Sequence, residues 1–418
     1  MKQLTLLICS ILFLLVSCKD KTFLKYQANT PVYMDYESFR SSVTFEGPRG
    51  IEQQGSISIK DQNLFIVEPE KGIHFIDNSN PSSPVKIGFL NVLGCSNMSI
   101  KGSYLYVNSL IDLVVVDIST ITAPTVVNRL EDVFPQVLPP TNNSLGAIAI
   151  DKSLGVVIGW EVKTVKEEVE VHATPYWNNC PNCDMALSSG NQPSYQSSTT
   201  SISGSITKFA ILSDHLFIVD AFRLIPVNIS TPTQPIAASP IQLTRTVETL
   251  FSSGNHLFMG TTTGMLIFAT DNPDLPVQIS AVNHVTACDP VVVSGNYAYV
   301  TTRMGTTCAG TINQLDVIDI TDLFNPFTVA TFPMVNPHGL GIDGNRLFIC
   351  DGSAGLKVFD ATVPANSGNQ LIQAFSSIQA TDVIPYNNTA IVIGENGLYQ
   401  YDYSDPTNLN LLSTILFH

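Results

Sequence analysis

Glu248, Asp289 and His338 are the residues whose types and spacing come closest to chemistry. Each opens a copy of a recurring unit. The matching positions are Gly55, Ser96, Gly146 and Thr207 in earlier copies and Thr381 in the last. If the units close into a ring, equivalent positions become neighbours around its centre. Two carboxylates beside an imidazole would raise the imidazole's proton affinity, and could hold a ligand or a cation or act as acid and base. The plainer reading is a wet polar rim. No catalytic residue is assigned on this basis.

The cysteines offer less. Cys180-Pro-Asn-Cys183 has the spacing of a redox pair, but no helix or βαβ pattern surrounds it to lower a thiol pKa. A zinc site would need two more ligands, and His172 is the nearest candidate. A small local disulfide is the simpler expectation. Cys288 and Cys308 lie in loops that a ring of repeats puts on one face, so they are expected to pair, while Cys95 and Cys350 read as unpaired. Nucleophile-elbow, zincin, phosphate-loop and EF-hand motifs are absent from the sequence, and no cofactor is implied.

The elements that would position these residues are short strands. Leu113-Val-Val-Val-Asp117-Ile-Ser119 returns as Leu315-Asp-Val-Ile-Asp319-Ile-Thr321 and as Leu356-Lys-Val-Phe-Asp360-Ala-Thr362. An aromatic-apolar run precedes each copy, and a turn rich in Asp, Asn, Ser and Pro follows it. The opening positions lie 41 to 61 residues apart, close to the ~40–50 of propeller blades. Runs this short, rich in Val, Ile, Phe and Tyr, predict strands. The fold class is therefore all-β: a β-propeller of four-stranded antiparallel blades, eight if the unit at Leu145–Trp160 is complete and seven if it is not. Residues 173–203, rich in Ser, Asn, Gln and Thr, read as a surface insertion. The last strand, near 411–417, is expected to close the ring against 43–45. The Asp that ends each third strand reads as turn chemistry rather than as a metal ligand.

These units, with the lead-in Pro31-Val-Tyr-Met-Asp-Tyr-Glu-Ser-Phe-Arg40, resemble the LVIVD repeat of bacterial and archaeal surface lipoproteins. The resemblance implies a propeller and brings no catalytic residues with it.

Residues 1–17 read as a lipoprotein signal: Lys2, an apolar stretch from Leu4 to Val16, then Leu15-Val-Ser-Cys18. Cys18 would become the acylated N-terminus, anchored through acyl chains such as palmitate. Residues 18–42 would form the tether and lead-in, and 43–418 the propeller. The formal net charge of −15 argues against nucleic acid as a partner. The sequence thus predicts an exported propeller, lipid-anchored at the bacterial outer membrane, that binds or scaffolds an envelope or surface protein or a glycan. Its membrane contact would be through the lipid alone. The alternative is a hydrolase or lyase acting on a polysaccharide or peptide at the mouth of the channel.

Overall fold

Leu113-Val-Val-Val-Asp117 shows why the repeated phrase is almost wholly apolar. Leu113 and Val115 pack toward one neighbouring blade, with Phe209 and Ile218. Val114 and Val116 pack toward the other, with Phe65 and Ile73. A strand buried on both faces reads as a continuous apolar run instead of an alternating one. Asp117 then ends the strand, its carboxylate accepting the Ser119 N–H at 2.7 Å. The same bond recurs at Asp77, Asp319, Asp360 and Asp402, and Asn228 substitutes for Asp in one unit.

The computed structural model describes residues 22–142, 144–169, 201–220, 222–283, 290–304, 312–405 and 407–417. The chain divides into two compact units, Met1–Tyr33 with Pro140–Leu187 and Met34–Pro139 with Ser188–His418. The larger is a seven-bladed β-propeller, with antiparallel blades at residues 57–91, 98–130, 209–242, 247–283, 291–333, 340–375 and 380–416. In six blades the third and fourth strands pair with a register shift, which increases their twist. In blade 3 the outermost strand is split into Ile236–Ala237 and Ile241–Gln242.

Eight blades were the sequence's first expectation, and the structure corrects this to seven. The unit at Leu145–Trp160 is not a blade: Val156–Val169 is one long strand paired with Thr22–Met34 in a two-stranded sheet. Its valines look like blade strands, but the alternating charges from Glu161 onward suit a ribbon with solvent-facing sides. The stretch read as a tether therefore contains a strand. It also contains the helix Tyr36–Arg40, whose Phe39 is fully buried and whose Arg40 pairs with buried Asp112 at 3.1 Å.

Ring closure is also corrected. Asn410–Leu416 pairs inside blade 7, and Thr44–Glu46 adds to the outer edge of blade 1. Blades 1 and 7 meet through side chains instead, Ile57, Ile59 and Ile66 against Ile384, Ile391 and Ile393.

Candidate functional site

The innermost strands of the blades surround a central channel, and one segment of the chain runs inside it. Ile202 and Ser203 pair with Ile59 and Ser58 of blade 1 on the channel side. The Ser201 N–H donates to the Ile100 carbonyl of blade 2 at 2.6 Å, and Gly204 N–H donates to the Ile57 carbonyl at 3.0 Å. Ser205 then meets blade 7: its N–H and hydroxyl donate to Asp382 Oδ1 at 2.7 and 2.8 Å, and Ile206 N–H reaches Oδ2 at 3.2 Å. The Leu340 N–H of blade 6 donates to the Ser205 hydroxyl. Thr207 and the Lys208 N–H both donate to Asn97 Oδ1, at 2.7 and 2.8 Å, before the chain enters blade 3.

Close approach demands glycine here. A Cβ on Gly204 would lie 2.1 Å from Asp382 Oδ2, and one on Gly339 2.2 Å from Oδ1. Asp382 is buried, and burial raises its pKa to about 7 against the donors that favour its charge. Residues 201–203, expected on the surface, are thus the start of a channel strand.

Two of the sequence's three candidate residues, Glu248 and His338, lie where innermost strands begin, at the channel mouth. Glu248 is on the innermost strand of blade 4 and 6% exposed; burial raises its pKa, opposed by Lys208 and Arg303. His338 lies two residues before the innermost strand of blade 6, Leu340–Asp343. Burial, with Arg303 beside it, lowers its pKa to about 4, so the imidazole is neutral at pH 7. Arg303 directly follows the second strand of blade 5, Tyr297–Thr302. Its guanidinium contacts Nδ1 of His338 and lies 3.1 Å from Nε2, and Asn336 Nδ2 is 3.2 Å from the same Nε2. The guanidinium can only donate, so a neutral, accepting imidazole fits it. Burial lowers the pKa of Arg303 and of Lys208, with Glu248 opposing in both cases.

The structure therefore brings Glu248 and His338 into one polar cluster through Arg303 and Lys208, which sequence reasoning missed. Arg303 comes just after a second strand, outside the register of opening positions. The visible signal was a lone Arg in an otherwise apolar-hydroxyl run, Tyr299-Val-Thr-Thr-Arg303. Asp351 flanks the cluster, accepting N–H groups from Val335 and Asn336 and pairing with Lys357 at 2.6 Å. Among the described residues no three His, Cys, Asp or Glu side chains gather as metal ligands. Asp289, Cys18, Cys180, Cys183, Cys288 and Cys308 lie outside the described residues. Cys95 and Cys350 are buried and unpaired, and burial raises both thiol pKa values, as in inert core cysteines.

The LVIVD repeat matches residues 53–92, 95–132 and 286–332. These spans contain blades 1 and 2 and all of blade 5 but its last residue, Pro333. No curated protein matches the chain in sequence. Among solved structures, a protein from Lactobacillus plantarum aligns at 12% identity and TM-score 0.52, covering 87% of this chain and 97% of its own. The computationally designed Ika8 protein aligns at 10% identity and TM-score 0.51, covering 90% of this chain and 91% of its own. Saccharomyces cerevisiae Sqt1 aligns at 8% identity and TM-score 0.50, covering 94% of this chain and 89% of its own. At such identities the likeness is one of fold. The chain is a seven-bladed β-propeller with LVIVD repeats in three of its blades.

Proposed function

We propose that this chain is an exported, lipid-anchored binding or scaffolding propeller that engages an envelope protein or glycan at its channel mouth. One observation carries the reading. The channel holds the chain's own strand, and desolvated Glu248, Arg303 and His338 cluster at the openings of the blades around it. Desolvated donors and acceptors on rigid strands discriminate among polar ligands, because a poor fit leaves buried groups unpaired. The sequence Leu15-Val-Ser-Cys18 supports the anchor, and the acidic balance argues against nucleic acid.

The test is affinity capture from intact envelopes with the full-length chain, comparing wild type with Arg303→Ala and His338→Ala. The proposal expects a partner held by the wild type and recovered about tenfold less with each variant. Equal recovery by all three would overturn the mouth as the site. Turnover of a polysaccharide or peptide by the purified chain, lost in the same variants, would favour the hydrolase or lyase alternative.

A further inference from the structure

The face opposite the mouth carries the turns between third and fourth strands, and across blades 4, 5 and 6 these turns share a composition. Each presents two large apolar side chains to solvent: Leu275 and Val277, Phe324 and Phe327, Val363 and Leu371. All six are 52% to 69% exposed. One such residue would be ordinary, but three consecutive blades with the same pair form an apolar arc, and such surfaces mark interaction sites.

The same turns are acidic, with Asp271, Asp274, Asp319, Asp322 and Asp360 and no Lys, Arg or His in residues 269–277, 319–327 or 360–371. The turn chemistry keeps much of this charge uncompensated. Asp319 accepts the Thr321 N–H, Asp322 the Phe324 N–H and Asn325 amide, and Asp360 the Thr362 N–H; none of these donors is cationic. These hydrogen bonds hold the Asp322 and Asp360 carboxyls below the usual carboxylate range, so they stay ionised in mildly acidic surroundings. Asp274 is different, reaching His215 of blade 3 at 3.0 Å.

Arg303 and Lys357, two of the three Lys and Arg residues of these blades, are at the mouth, and His256 stands at the turn end of blade 4 opposite Ala269. The third, Arg346, is on the turn side and donates to the Tyr403 carbonyl. The mouth of blades 4 to 6 therefore pairs its carboxylates, Glu248 and Asp351, with cations, whereas the turn face is acidic and apolar.

We propose that this arc docks a basic polypeptide segment studded with apolar side chains. Its cations would be drawn to the turn carboxylates while its apolar groups cover the exposed pairs. The charge favours such a segment over an anionic lipid surface, which the arc would repel. The proposal is independent of the mouth, since no mouth residue takes part.

The test uses the purified full chain and a fluorescent 18-residue amphipathic Leu/Lys peptide, with a Leu/Glu peptide of equal length as the charge-reversed probe. The proposal expects the Leu/Lys peptide to bind and the Leu/Glu peptide not to. The double variant Phe324→Ser, Phe327→Ser, which keeps the net charge, should weaken binding about tenfold. Val85→Ser, on the same kind of turn but in blade 1, should leave binding unchanged. The pair Asp319→Asn, Asp322→Asn should also weaken binding and flatten its salt dependence. Asn can still cap the turn, as Asn228 does for the Ser230 N–H. Unchanged binding in the Phe double variant would overturn the proposal. So would capture of the chain by phosphatidylcholine vesicles that this variant abolishes, which would make the arc a lipid-facing surface.

Discussion

Burial of Asp382 against the channel strand lifts its pKa from the ordinary 3.8 to about 7, while burial of His338 lowers its pKa from 6.5 to about 4. Both shifts link stability to pH, with opposite signs. Between about pH 4 and 7 the unfolded chain has lost the Asp382 proton and the native chain still holds it, so this group's contribution to stability falls as pH rises. Between about pH 4 and 6.5 the unfolded chain holds a proton on His338 that the native chain lacks, so that contribution rises with pH. The two partly cancel in the wild type, and single variants separate them. Urea melts of Asp382→Asn across this window should show stability rising more steeply with pH than wild type, by up to about 1.4 kcal/mol per pH unit. Melts of His338→Gln should show a more negative slope than wild type. Identical pH profiles for wild type and Asp382→Asn would mean that Asp382 is not a buried titrating group. A second prediction at this scale concerns Gly339, where a Cβ would meet the Asp382 carboxylate. Gly339→Ala should cost about 1–3 kcal/mol in denaturant unfolding, whereas Gly344→Ala, with open space at its Cβ, tests only backbone strain at φ 54°.

Among the elements, those with two buried faces were the most legible. Leu113–Val116 and Leu315–Ile318 announce themselves because every residue but Asp316 packs on a neighbouring blade or on the strand's own sheet, leaving a run that polar loops cannot imitate. Val156-Val-Ile-Gly-Trp160 has the same composition, but its partner is the lead-in strand, and a single sequence does not reveal which partner a strand selects. The channel strand was invisible for the reverse reason. Ser201-Ile-Ser-Gly-Ser-Ile206 reads as loop because its burial is supplied by distant residues: Asp382 is 177 positions away from Ser205. Of the candidate site, the blade-opening positions Glu248 and His338 were legible from the repeat register. Arg303 was not, since it reaches the mouth from just after a second strand. The loop expectation is tested at Cys288 and Cys308: peptide mapping of unreduced protein from its native compartment should find them linked, and alkylation of both thiols would refute the pairing.

At the scale of the whole molecule the proposed architecture is a rigid seven-bladed body on a lipid tether. Cys18→Ser should release the protein from membranes after a high-salt wash, and full retention would remove the lipoprotein reading. The central claim is that the channel is occupied from within by the chain's own strand, around which the mouth cluster is built. Native-state hydrogen exchange of the full-length chain, read by mass spectrometry on peptides covering 201–207, tests it most directly. The Gly204, Ser205 and Ile206 amides donate to Ile57 and Asp382 inside the channel, so they should exchange as slowly as the innermost strands of blades 1 and 7. Exchange at the rate of free loop amides would contradict the occupied channel, and with it the setting on which the proposed binding site depends.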